Sequence, residues 1–181
     1  MDERILRTET CFQGRLLRLD RLEVELEPGR HATREVIRHP GAAVILPQLP
    51  DGRFVFVRQY RAAVGEDVLE AVAGTMGWGE DPAVCAHREL REETGCEAEE
   101  LVKLGVVYPA PGYTEERLHL FLARLKPHAG PPRPDEDERL EPVLLTAGEI
   151  SRAILEDRIR DAKTIAAWWL YEKRVSARAE S

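Results

Sequence analysis

The chain has 181 residues, 43% of them apolar and 33% charged, and a formal net charge of −7. That length and balance describe one folded domain with a sizeable core and exclude a disordered or low-complexity chain. The acidic excess argues against a nucleic-acid backbone as partner, and no apolar run approaches the ~20 residues that span a bilayer.

The first residues, MDERILRTET, lack the apolar core of a signal peptide. Cys11, Cys85 and Cys96 are odd in number and have no metal-ligand spacing, so they read as reduced thiols. A cytoplasmic protein with no membrane and no nucleic-acid partner is therefore expected.

In chain order, residues 5–38 predict an N-terminal antiparallel layer. Residues 15–26 alternate loosely, Glu27-Pro28-Gly29-Arg30 is a turn signal, and 32–38 is a second run. Being long and ahead of the core, residues 1–40 are a candidate dimer contact, with a plain edge meander as the alternative. Residues 41–47 (GAAVILP) form a nearly continuous apolar run, as a buried strand would. Pro50-Asp51-Gly52 makes a turn and 54–57 return, which predicts a hairpin. Arg58 and Arg61 follow. Arginines there are commonly surface pairs, but Arg61 stands shortly before an acidic segment, and a guanidinium fork suits phosphate.

Residues 67–73 predict a strand leading into Gly74, and a helix follows. Asp81 can cap it, Pro82 fits its first position, and Gly95 fits the left-handed residue past its end. Within it, Glu89, Glu92 and Glu93 are spaced i, i+3 and i+4 and share one face. Like charges at that spacing repel by a few tenths of a kcal/mol per pair. Arg88 and Arg91 could neutralise an ordinary solvated face. A divalent cation is the other compensation, because hard cations take carboxylate oxygens together with substrate phosphates.

Spacing decides between the two. Gly74, Glu80, Arg88-Glu89-Leu90, Glu92-Glu93 and Gly95-Cys96 fall into G-x5-E-x7-R-E-U-x-E-E-x-G-U, where U is bulky and apolar, with Cys96 the one departure. This resembles the box of the Nudix hydrolase family. The resemblance implies an α/β protein: a Nudix-type α/β/α sandwich with a mixed sheet over residues 41–181, preceded by the N-terminal antiparallel β layer. It implies Mg²⁺ or Mn²⁺, with more than one ion, held by Glu89, Glu93 and the carbonyl of Ala73. Glu92 would share a second ion or act on metal-bound water, and Glu70 is a possible outer ligand. Arg88 would orient the box carboxylates and Glu80 would brace the loop. The entry departs from the family's common pattern at Val72 and at Gly77-Trp78, so an altered loop shape is expected. Trp78 faces substrate or packs the loop.

After the helix, residues 101–108 predict a strand. Pro109-Ala110-Pro111-Gly112-Tyr113-Thr114-Glu115-Glu116 then makes a stiff loop, with Pro111 sixteen residues after Gly95. This resembles the ADP-ribose pyrophosphatase branch, with Ala110 in place of a serine. The branch implies that Gly112, Tyr113 and Glu116 border the substrate. Residues 117–125 alternate as a half-buried strand. The acidic stretch 135–141 then supplies Glu136 and Glu138, which match an acidic pair common in that branch and are candidates for the general base beside Glu92. Residues 141–145 are a last strand. Thr146 and Glu149 form a capping box, and Asp161 caps a final helix on which Ile165, Trp168, Trp169 and Tyr171 are expected to pack towards the core. Asp161-Ala162-Lys163-Thr164 resembles the helix start of the same branch.

The expected activity is hydrolysis of the diphosphate of ADP-ribose or a related nucleoside-diphosphate sugar, by a homodimer. Another Nudix substrate (NADH, a dinucleoside polyphosphate or a nucleoside triphosphate) is one alternative. A non-catalytic ligand-sensing module is the other, but it would be expected to lose box carboxylates that this chain keeps.

Overall fold

A computed structural model describes residues 3–127, 130 and 139–179. The loosely alternating N-terminal stretch folds as a meander: β1 (Arg4–Gln13), β2 (Arg18–Glu27) and β3 (Arg30–Arg38) pair antiparallel in that order. Gly29 turns β2 into β3 at φ 80°, a left-handed conformation that strains residues carrying a β-carbon. Among the described residues, no strand of this meander packs extensively on another named element. It is tied to the body through Ile37 and Arg38. The Ile37 N–H donates to the Tyr113 carbonyl at 2.8 Å, and the Glu115 N–H donates back to Ile37 at 3.2 Å. Arg38 bridges the buried Asp20 (2.9 Å) and Glu115 (2.6 Å).

The body comprises β4 (Ala42–Gln48), β5 (Phe54–Arg61), β6 (Glu66–Thr75), α1 (Pro82–Thr94), β7 (Ala98–Val107), β8 (Leu118–Leu125), β9 (Leu140–Leu145), α2 (Ala147–Leu155) and α3 (Ala162–Ala179). Its mixed sheet has the order β7-β8-β4-β6-β5-β9. β4 runs parallel to β8, and the other neighbours are antiparallel. Both faces of β4 are covered, which is why its sequence is apolar without alternation. Ala43 and Ile45 meet Cys85, Ala86 and Leu90 of α1 on one face. Val44 and Leu46 join Phe54, Phe56, Ile150 of α2 and Trp168 of α3 on the other. This is the expected α/β/α sandwich. No helix among the described residues is long and apolar enough to cross a membrane.

Two local expectations change. β4 and β5 pair only at Gln48–Phe54, because β6 enters between them and takes most of the pairing. On α3 the tryptophans part company. Trp168 is buried edge-on to Phe54 at 5.1 Å, whereas Trp169 is exposed. Successive helical residues point ~100° apart, so one face cannot hold both.

The insertion of β6 has a further consequence. β4 pairs with β6 only over Val72–Thr75, and the two part beyond Ile45, where β6 residues 66–71 pair with β5 alone. The Ala71 N–H, on the margin of that opening, donates to the Thr164 hydroxyl at 2.8 Å. Asp161 caps α3 by accepting from the Thr164 N–H (3.0 Å) and hydroxyl (2.5 Å). The start of α3 thus fills the splay in the sheet and satisfies a backbone donor that would otherwise be buried without a partner. Thr164→Val keeps the shape and removes the acceptor. We expect it to lower the unfolding free energy by about 1–3 kcal/mol, read from urea titrations at unchanged m-value.

Candidate active site

The caps of α1 form as its sequence requires. Asp81 Oδ1 accepts from the Ala83 and Val84 N–H groups at 2.8 and 3.2 Å, and Gly95 ends the helix at φ 70°. Those ends fix the helix phase, which turns Glu89 and Glu93 inward. Both are buried, while Glu92 lies half-buried on the flank. Glu89 reaches the backbone of β6 at Gly74. A β-carbon on Gly74 would overlap the Glu89 carboxylate, so glycine is the residue this approach permits. Ala73, whose carbonyl immediately precedes this contact, pairs with Val44 in the sheet and packs against the core.

One guanidinium organises the carboxylates. Arg88 donates to Glu89 Oε1, to Glu92 Oε2 at 3.2 Å, to both oxygens of Glu80 at 3.3 and 3.2 Å, and to the Thr75 carbonyl at 3.2 Å. Glu80 also accepts from the Gly77 N–H at 2.7 Å. Arg88 first, then Gly77, hold the Glu80 carboxyl below its ordinary range, so it stays ionised and braces the loop. Trp78, in that loop, is 69% exposed.

Arg88 thus serves Glu80, Glu89 and Glu92, and Glu93, beside them on the helix, acts electrostatically on Arg61. Among the described residues no three ligand side chains form a preassembled ion cluster. The side-chain donors on this face, the buried carboxylates of Glu89 and Glu93, are hard oxygens, and their chemistry fits a hard divalent cation.

Arg61 stands beside this face. Its Nε donates to Glu70 Oε1 at 2.7 Å. Burial opposes its charge, but Glu70 and then Glu93 and Asp161 outweigh that and raise its pKa. Glu70 is 1% exposed, and its other oxygen accepts from Lys163 of α3. Both oxygens are therefore engaged by cations, so Glu70 braces Arg61 and Lys163. Sequence alone gave no reason to place Lys163 here, because its partner is 93 residues distant. A hollow of about 400 Å³ opens at this point, lined by Arg61, Val64, Glu70, Arg158, Arg160 and Lys163, among others.

Gly112, Tyr113 and Glu116 lie on a loop at a second hollow, of about 280 Å³, which shares no lining residue with the first. Val36, Tyr108, Gly112, Tyr113 and Arg117 line it, and Arg117 lies 5.9 Å from the Tyr108 ring centre. Glu116 Oε1 is 3.6 Å from His39 Nδ1. Glu136 and Glu138 lie outside the described residues.

The family model described as the NUDIX domain matches residues 37–168. The chain belongs to the Nudix family. Within it, the chain is similar to ADP-ribose pyrophosphatase-like enzymes: it is 34% identical to the ADP-ribose pyrophosphatase of Bacillus subtilis over 168 residues, 92% of this chain and 91% of that one. It is 38% identical to the methanol dehydrogenase activator of Bacillus methanolicus over 167 residues, 92% and 90% of the two chains. A crystal structure of an ADP compounds hydrolase superposes with a TM-score of 0.84 at 24% identity, covering 100% of this chain and 98% of that one, and bears out the fold.

Two outcomes follow from the geometry. Gly74→Ala should displace the Glu89 carboxylate and weaken Mn²⁺ binding by about 10–100-fold, measured by water-proton relaxation. Burial first, then Glu89, push the Cys85 thiol up to about 11, so it stays a protonated, unreactive thiol at pH 8. At that pH, iodoacetamide should modify exposed Cys11 and leave buried Cys85 and Cys96, as read by peptide mass spectrometry.

Proposed function

We propose that this protein hydrolyses the diphosphate bond of ADP-ribose or a related nucleoside-diphosphate sugar with Mg²⁺ or Mn²⁺, more than one ion taking part. ADP-ribose would give AMP and ribose 5-phosphate. The observation that carries this is the pair of buried carboxylates, Glu89 and Glu93, on one face of α1, with Glu89 seated on the bare backbone of Gly74. The names of the relatives, the ADP-ribose pyrophosphatase above all, support the substrate class.

In this reading Glu89, Glu93 and the Ala73 carbonyl hold the cation, and Glu92 holds a second one or its water. A bound divalent cation would neutralise charge on the diphosphate and lower the pKa of a water. The protein's own groups do the remainder. Arg61 steadies the diphosphate. One carboxylate among Glu92, Glu136 and Glu138 takes the proton of the attacking water. The water oxygen bonds to phosphorus, and the bridging P–O bond breaks with its electron pair on the departing phosphate. Gly112, Tyr113 and Glu116 border the substrate outside the reacting phosphates. Arg88 orients the box carboxylates and does no chemistry.

Two copies would pair through residues 1–40. The support is that Ile5, Leu6, Phe12, Leu16 and Leu17 are exposed on or beside β1, a concentration of apolar side chains that a protein contact would cover.

The test is an activity panel with Mg²⁺ and with EDTA on ADP-ribose, GDP-mannose, NADH, dinucleoside polyphosphates and nucleoside triphosphates. Cation-dependent release of a nucleoside monophosphate from ADP-ribose or another nucleotide sugar is expected. No turnover on any of them would leave the ligand-sensing module. Glu93→Gln should lower kcat by about 100-fold or more, some 2.7 kcal/mol, at a melting temperature no lower than that of the wild type. An unchanged kcat would overturn the metal assignment.

A further inference from the structure

We propose that Lys163 is a positioning residue: it holds Arg61 in a one-nitrogen contact with Glu70, which leaves the outer edge of the guanidinium open to a substrate phosphate. This rests on the role given above to Arg61.

An arginine beside a carboxylate favours a fork in which two parallel N–H groups meet the two oxygens. Arg61 does not make that fork. Only its Nε bonds to Glu70, through Oε1 at 2.7 Å. Its terminal nitrogens make no hydrogen bond to any described residue, and Arg61 lines the 400 Å³ hollow. Glu70 Oε2, which the second arm of a fork would take, is held by the Lys163 ammonium. Glu70 is 1% exposed, so water does not compete for that oxygen. A second cation on Oε2 is thus what keeps the arginine half-engaged.

Lys163 reaches this oxygen because of where α3 begins. The Thr164 hydroxyl accepts from the N–H of Ala71, the residue after Glu70. Asp161 caps the helix and lies 3.1 Å from the Lys163 ammonium. The helix start therefore delivers the ammonium to Glu70 as part of closing the sheet. Without the lysine, the vacated Oε2 would draw a terminal nitrogen of Arg61 into a full fork. The guanidinium would turn from the hollow, and its affinity for phosphate would fall.

The test uses inorganic pyrophosphate as the probe, titrated calorimetrically in EDTA into the full chain. Lys163→Met and Arg61→Gln should each weaken binding about tenfold, the loss of one charge-assisted contact. The double variant should be no weaker than either single one, because both remove the same contact. Lys163→Arg, which still covers Oε2, should bind within about twofold of wild type. With ADP-ribose and Mg²⁺, Lys163→Met should raise KM about tenfold and leave kcat within about twofold, as expected for lost uniform binding. If Lys163→Met fails to fold, Lys163→Leu, which likewise leaves Oε2 uncovered, replaces it with the same expectation.

Wild-type pyrophosphate affinity in Lys163→Met overturns the proposal. So do losses that multiply in the double variant, failure of Lys163→Arg to restore binding, or no binding by the wild type. Turnover separates the two levels. ADP-ribose hydrolysis by the wild type with no change in Lys163→Met refutes the positioning role alone. The expected pyrophosphate pattern without hydrolysis refutes the substrate reading alone.

Discussion

Burying a carboxylate is costly unless positive charge or hydrogen-bond donors replace the water it loses, and this protein buries three of them near one another. Glu70, Glu89 and Glu93 are each less than a tenth exposed. Arg88 compensates the α1 side, and Arg61 with Lys163 compensates Glu70. Each cation is itself supplied by a different part of the fold: Arg88 by the box helix, Arg61 by the end of β5, and Lys163 by the start of α3. The site is consequently a meeting of elements, and the box helix is only its most legible part.

The same elements meet because the sheet is splayed. β6 pairs with β4 only from Val72 onward, and α3 closes the opening beside the earlier part of β6 with a capped helix start rather than with another strand. A structural need, the unpaired Ala71 N–H, and a chemical need, the second cation on Glu70, are met by adjacent residues of one turn. Disturbing the turn therefore disturbs both. This links α3 to the cations that stand beside the box face, although α3 contributes no box residue.

At the other end of the chain, the N-terminal meander touches the body chiefly through the segment that carries Tyr113 and Glu115. Arg38 serves Asp20 in the meander and Glu115 in the loop, with burial of Asp20 keeping that contact from being a solvated surface pair. The loop bordering the second hollow thus takes its position from β3.

Local sequence determined a great deal. Asp81, Pro82 and Gly95 set the ends of α1; a helical period then fixes which carboxylates share its face, because capping and periodicity act within a few residues. Thr146 with Glu149, and Asp161 ahead of α3, were legible for the same reason. What the sequence left open are contacts made across the chain. Nothing local shows that β6 would separate β4 from β5, that Trp169 would face outward while Trp168 packs on Phe54, or that Lys163 would reach Glu70. Such pairings depend on which strands become neighbours and where a helix axis lies against them. Only the folded sheet brings Gly74 under Glu89 and Lys163 beside Arg61, so the spacing of the box was written in the sequence and the shape of the site was decided by tertiary packing.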